Sequence, residues 1–299
     1  LLPSGPTLGG APFNFACRVG SLGDRALIAS RLGCDELGQR ARERLQALGL
    51  DARLVQRDEL HPTGTVRITL DARGNPDFDI VPDAAYDYIE ATPALLEAAA
   101  AADCICFGTL VQRSAAARAV LERVLAAAPN VEKFLDLNLR RDCYSPETIV
   151  ASLDRADLLK MNQAEAEHLA EHFGFRHRSL PAIGAAALDR WKLTRVLITL
   201  GERGGYAAGR NGEQVYAPGY AVPVVDTCGS GDAFSAGFIH AHLRGQSLAE
   251  CCELGNALGA LVATQKGATA PIPAAALEAF RRAKHQRIGD PEFERFAVA

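Results

Sequence analysis

Ala102-Asp103-Cys104-Ile105-Cys106-Phe107, then Ser114 to Ala128, then Val131-Glu132-Lys133-Phe134-Leu135-Asp136-Leu137, make an apolar run of strand length, an alanine-rich run of helix length and a second apolar run. Short apolar runs joined through a helix read as parallel strands buried on both faces, because a parallel pair needs a crossover of a dozen or more residues. The unit continues outward. Leu158 to Met161 and Arg195 to Leu200 are further strand-like runs, and Gln163 to Phe173 and Ala182 to Trp191 are further helical ones. The pattern predicts one α/β domain over residues 1–299, with a doubly wound, mostly parallel sheet and helices on both faces. No linker, repeat or composition shift divides it.

One segment breaks the rhythm. From Gly64 to Leu70, Thr65, Arg67 and Thr69 alternate with Val66, Ile68 and Leu70; Asp71-Ala72-Arg73-Gly74-Asn75 supplies turn chemistry before Phe78 to Val81. This predicts a β-hairpin with one wet face, a flap rather than a central strand. Composition narrows the partner. With 32 Lys+Arg against 36 Asp+Glu, a net charge of -4, nothing favours nucleic acid or an anionic membrane, and a small ligand is expected. No apolar run of about 18 residues is present and Leu1 to Gly10 lacks the pattern of a signal peptide, which argues against membrane insertion and secretion. The eight cysteines form no framework of spacings and no Cys-x-x-Cys, so they read as thiols of a cytoplasmic protein.

Chemistry concentrates at Asp226-Thr227-Cys228-Gly229-Ser230-Gly231-Asp232, ahead of the helical pattern Ala233 to Leu243. Small residues entering a helix leave N–H groups pointed outward, where the helix end adds positive charge, so the turn can hold an anion. An aspartate beside a phosphate weakens binding unless it serves the acceptor as a general base, which suggests phosphoryl transfer. The local pattern equally allows Asp232 to be a helix cap. There is no Walker A loop and no Rossmann glycine triplet, so a phosphate cradle here is of another type.

Two further segments make the pattern specific. Gly9-Gly10-Ala11-Pro12-Phe13-Asn14-Phe15-Ala16, followed by Gly20, Leu22, Gly23, Gly33, Asp35, Gly38 and Gly49, resembles the amino-terminal signature of the ribokinase-like (PfkB) carbohydrate kinases. Asp226 to Asp232 with Ala233, Phe234 and Gly237 resembles that family's carboxy-terminal signature. Asp136 to Arg140 and Phe107 to Arg113 look most like bacterial fructokinases. The resemblance implies an ATP-dependent kinase acting on a sugar, fructose to fructose 6-phosphate. It makes Asp232 the catalytic base and the N–H groups of Gly229, Ser230 and Gly231 an anion hole. Asn162 and Glu165 match the Asn-x-x-Glu motif tied to Mg²⁺ and phosphates through water. Thr199, Gly201 and Gly204 match an ATP-binding turn, Asn256 matches a position beside the adenine, Gly10 and Asn14 match sugar contacts, and Arg140 is expected to contact sugar or phosphate. A K⁺ loop would use Asp226, Cys228, Val262, Gln265 and Gly267. The hairpin, with residues 1–8 and 62–82, resembles the family's lid, and a homodimer through two lids is expected. The family also has a buried strand and a sugar-binding aspartate ahead of the point matching Leu1, so a segment upstream is expected.

Other readings compete. Another acceptor, 2-keto-3-deoxygluconate, ribose or a nucleoside, fits the same fold; a keto acid needs a cation for its carboxylate, for which Arg67, Arg113 and Arg140 are candidates. A non-catalytic homologue has no need of a base and a cradle together. His168-Leu169-Ala170-Glu171-His172 fits an inverted zinc-peptidase motif, but no second acidic ligand segment follows, so a solvated helix face is expected. Trp191 reads as core.

Overall fold

The computed structural model describes residues 8–70 and 76–297. In chain order the helices are α1 (Ala11–Ser21), α2 (Glu36–Ala47), α3 (Pro93–Ala100), α4 (Ala115–Ala126), α5 (Pro146–Leu153), α6 (Gln163–His172), α7 (Leu180–Arg190), α8 (Ser230–His242), α9 (Leu248–Ala263) and α10 (Ala274–Arg282). The strands are β1 (Ser30–Gly33), β2 (Val55–Asp58), β3 (Val66–Leu70), β4 (Pro76–Ile80), β5 (Cys104–Phe107), β6 (Glu132–Asp136), β7 (Leu158–Asn162), β8 (Arg195–Thr199), β9 (Gly205–Gly209), β10 (Gln214–Ala217), β11 (Gly219–Tyr220) and β12 (Arg287–Ile288).

The four apolar runs become β5 to β8, parallel and side by side, and β9 and β10 continue the sheet antiparallel. Alternation along each strand sorts the core into two layers. Leu135, Leu159, Met161, Val196 and Ile198 face a cluster built with α4 to α7, which also takes in Trp191. Phe134, Leu158 and Leu197 face the other layer, built with α8 and α9. Helices therefore cover both faces. Asp136 and Lys160 interrupt apolar strands two residues beyond Phe134 and Leu158, on the α8 side, and they are register partners between β6 and β7.

Local signals set the helix starts. Asn162 and Glu165 form a reciprocal capping box at α6, Ser247 and Glu250 another at α9, while Thr92, Ser114 and Ser145 cap α3, α4 and α5. Gly204 is required by its surroundings as well as its φ of 92°: a Cβ there would lie 2.1 Å from the carbonyl oxygen of Ala217. That close approach seats the turn after β8 against the loop before β11.

Among the described residues, strands β3 and β4 pair only with each other, antiparallel from Val66↔Ile80 to Leu70↔Pro76. The hairpin is thus a separate flap and not an edge of the main sheet. Its turn, Asp71 to Asn75, and residues 1–7 of the expected lid lie outside the described residues. Strands β1 and β2 form a further parallel pair that the sequence pattern did not announce. No helix among the described residues is long and apolar enough to cross a membrane.

Candidate active site

The carboxyl ends of β6 and β7 meet the first turns of α8, and the two glycine-rich segments converge there. Asn14 of α1 donates its Nδ2 hydrogen to Oδ2 of Asp232 over 2.8 Å, across 218 residues of sequence. Gly10 caps α1 with φ 110°, and its carbonyl accepts the Asn14 N–H at 2.9 Å, which fixes the side chain that reaches Asp232. Oδ1 of Asn14 is buried with no hydrogen-bond partner among the described residues.

Helix α8 begins at Ser230, three residues earlier than the sequence pattern suggests, with Gly229 as a left-handed cap of φ 79°. Asp232 therefore sits in the first turn. Its side chain is turned to Asn14 and caps nothing, which decides against the capping alternative. The N–H groups of Gly229 and Gly231 have no acceptor among the described residues, whereas that of Ser230 already donates to the Thr227 carbonyl at 3.1 Å. Two of the three expected cradle amides are thus open in this conformation; the third closes the turn that presents them. The Ser230 hydroxyl is buried without a partner among the described residues. Unspent donors at a helix amino terminus fit an anion.

Burial raises the pKa of Asp232 to about 6, and the negative charge of Asp136 adds to it; the Asn14 hydrogen bond, Lys160 and Arg140 pull the other way. Asp136 is itself held by Lys160, whose Nζ lies 3.0 and 3.1 Å from its two oxygens, and by the Ser235 hydroxyl at 3.1 Å. Sequence reasoning placed neither Lys160 nor Ser235 in the site. The available signal was a lysine inside the apolar run Leu158-Leu159-Lys160-Met161, since a charge in a buried strand requires a partner. Asp136 is likewise a member of a buried ion pair.

The other expected residues separate. Glu165 is buried, and its oxygens accept the N–H groups of Leu139 and Asn162, each at 2.8 Å; the carboxylate ties the ends of β6 and β7 together. Burial raises its pKa. Asn162 is exposed beside it, in register with Thr199. Gly201, with φ 64°, and Gly204 shape the following turn, which Arg203 braces through Gln163 and Asp290. Asn256 is buried, its amide donating to the Ala217 carbonyl at 2.7 Å, so it supports the wall of the site. Arg140 is exposed and close enough to act on the charge of Asp232.

The five positions of the expected cation loop come together. Asp226 accepts the N–H of Cys228 at 2.9 Å and of Gly267 at 3.0 Å, and Gln265 donates to the Val262 carbonyl at 3.0 Å. Both Asp226 oxygens accept amide hydrogens, while Oε1 of Gln265 is buried without a partner among the described residues, an oxygen that fits a cation. Arg18, missed from the sequence, is buried and donates to the Ala268 and Ala270 carbonyls, fixing the segment against which Gly229 packs. His168 and His172 stack on one face of α6, near Tyr144, and among the described residues no three His, Cys, Asp or Glu side chains converge as a metal site.

Comparison with known proteins agrees with this geometry. The family model for the pfkB family carbohydrate kinases matches residues 6–275. Probable fructokinase-3 of Arabidopsis thaliana is 29% identical over 281 residues, covering 89% of this chain and 79% of the relative. A fructokinase of Klebsiella pneumoniae is 29% identical over 279 residues, covering 89% and 88%. The crystal structure of Vibrio cholerae O395 fructokinase, in a form with fructose, ADP and calcium ion bound, superposes with a TM-score of 0.78 at 25% identity over 92% of this chain and 91% of that one. With a flap beside an α/β body, and an aspartate at an open helix terminus, the chain belongs to the pfkB family of carbohydrate kinases, phosphotransferases whose acceptor is a sugar hydroxyl.

Proposed function

We propose that this kinase transfers the γ-phosphoryl group of ATP to fructose, giving fructose 6-phosphate. The observation that carries the reading is the Asn14–Asp232 contact, which joins the segment assigned to the sugar to the segment assigned to the phosphate. A sugar hydroxyl seated between them gives its proton to Asp232 as its oxygen attacks phosphorus, and the bond from phosphorus to the leaving oxygen of ADP breaks. The amides of Gly229 and Gly231 meet the charge of the transferring group, and Ser230 Oγ offers a further donor. Asn162 would meet the Mg²⁺-bound phosphates through water, with Glu165 fixing its backbone; Mg²⁺, when bound, would neutralise charge on the phosphates. The Gln265 oxygen and neighbouring carbonyls would hold K⁺. Closure of the hairpin over the sugar would exclude the water that competes for the phosphoryl group.

Fructose is favoured because the relatives described above are named fructokinases, in both plants and bacteria. A keto-acid acceptor would have to rely on Arg140 for its carboxylate. Arg113 is spent on Asp87, the Tyr86 hydroxyl and the Val81 carbonyl, and Arg67 lies 3.9 Å from Asp79. ADP release is expected to be fastest with fructose in a panel that includes ribose, 2-keto-3-deoxygluconate, adenosine and inosine, measured with Mg²⁺ and either K⁺ or Na⁺. Preference for another acceptor would replace the substrate assignment, and no phosphorylation of any would overturn the kinase reading.

Two chains paired lid to lid in a cytoplasmic dimer is the assembly we favour, since Val66 on the hairpin and Leu60 at its base are exposed apolar side chains. Sedimentation is expected to give a dimer at micromolar concentration; a monomer would remove the proposal.

A further inference from the structure

Lys160, Asp136 and Ser235 form a polar island in the otherwise apolar layer between the sheet and α8. Lys160 and Asp136 are about nine-tenths buried, and Ser235 is fully buried. Burying a pair of charges costs several kcal/mol and gives no more stability than apolar packing of the same volume, so its presence here is not explained by the core. Its position is informative. Asp136 and Lys160 are cross-strand neighbours on β6 and β7, and the Ser235 hydroxyl, one turn along α8 from Asp232, is 3.1 Å from both Asp136 Oδ2 and the Gly231 carbonyl. Lys160 Nζ lies 3.4 Å from where a Cβ of Gly231 would stand. The island therefore touches the turn that carries both the cradle and Asp232.

We propose that the Lys160–Asp136 pair, fastened to α8 by Ser235, is a positioning device for Asp232: it holds the first turn of α8 and sets how strongly Asp232 binds a proton. The inference rests on the reading of Asp232 as base. Charged and titratable groups acting on Asp232 are Asp136 at the end of β6, Arg140 in the loop beyond it and Lys160 on β7; Cys106 on β5 and Cys228 before α8 feel its charge in turn. Of these, Asp136 is the one that strengthens proton binding, after burial itself. Lys160 is held protonated against its burial by the charges of Asp136 and Glu165, which raise its pKa. A base whose affinity for a proton is raised toward the working pH takes up the hydroxyl proton more readily than an ordinary carboxylate, while still being ionised at neutrality.

The test uses the free, full-length enzyme labelled with carbon-13 at aspartate carboxyls, in which the Asp232 resonance is the one lost in Asp232→Asn. In Asp136→Asn the Asp232 midpoint is expected to fall by about one pH unit. The direction holds whether Lys160 keeps its proton or, deprived of Asp136, loses it, because the charge of Asp136 acts on Asp232 more strongly than that of Lys160. Since Asp136→Asn leaves a lone buried lysine, the double variant Asp136→Asn/Lys160→Met supplies a neutral island of similar shape. Its Asp232 midpoint is expected to fall by less, the pull of Lys160 being lost as well. An unchanged midpoint in both folded variants overturns the proposal. The acid limb of kcat/KM against pH is expected to move with the resonance. If the resonance shifts and the limb does not, the device stands and the reading of Asp232 as the base falls.

Discussion

Asp232→Asn is expected to lower kcat by roughly 10²- to 10⁴-fold, the range a positioned general base supplies, while the KM values for ATP and sugar change little. Asparagine keeps the shape and can still meet Asn14, but it has no basic oxygen for the hydroxyl proton. The wild-type enzyme is expected to show the corresponding pH dependence. With the Asp232 pKa near 6 in the free protein, log kcat/KM should fall with unit slope as the pH drops below about 6, and the limb should vanish in the variant. Stability carries the opposite sign. A carboxyl whose pKa is higher folded than unfolded destabilises the fold in its ionised form, and the penalty is relieved as the pH falls through about 6 toward the ordinary carboxylate range. Asp232→Asn should therefore be more stable than the wild type to urea at pH 7.5, a gain that shrinks by pH 4. Near-normal turnover in that variant would end the assignment of the base. Loss of activity together with loss of stability would point to structural damage instead.

The four parallel strands of the main sheet were legible because they lie between helical layers and so appear as largely apolar runs. The pair β1 and β2 was not: Ser30-Arg31-Leu32-Gly33 and Val55-Gln56-Arg57-Asp58 carry no apolar run, and their register is set by contacts made at a distance, such as the Arg31–Asp58 ion pair. β9, Gly205-Tyr206-Ala207-Ala208-Gly209, is fully buried yet has no β-branched residue, since α9 and the Phe234 ring come close to its first glycine. At the site, residues defined by the backbone they need could be read from glycine spacing. Those defined by long-range partners could not. Asn256 looks the same in sequence whether it faces a ligand or the Ala217 carbonyl. Glu165 is a capping residue and a bond to Leu139 at once, and only the second depends on the fold. Arg18 is one arginine among many until the chain returns, 250 residues later, to present the Ala268 carbonyl.

Gly229→Ala is expected to cut kcat/KM by about 10²-fold, comparable to loss of one donor from an anion hole. Two effects combine at this position. The φ of 79° is left-handed, which costs a residue with a Cβ about 1–2 kcal/mol. The added carbon would also stand 2.5 Å from Cβ of Ala268, far inside van der Waals contact. Ala268 cannot easily yield, because buried Arg18 grips its carbonyl and that of Ala270. The turn from Thr227 to Ser230 must give way instead, and it is this turn that aims the Gly229 and Gly231 amides. Gly212 separates the two effects: its φ is 88° and a Cβ there meets nothing within 4 Å, so Gly212→Ala carries the strain without the contact. Gly212→Ala should lose stability of about 1–2 kcal/mol in urea titrations and Gly229→Ala more than that, and only Gly229→Ala should lose turnover. Equal activity in the two would mean that the amides at the head of α8 do not hold the transferring phosphoryl group.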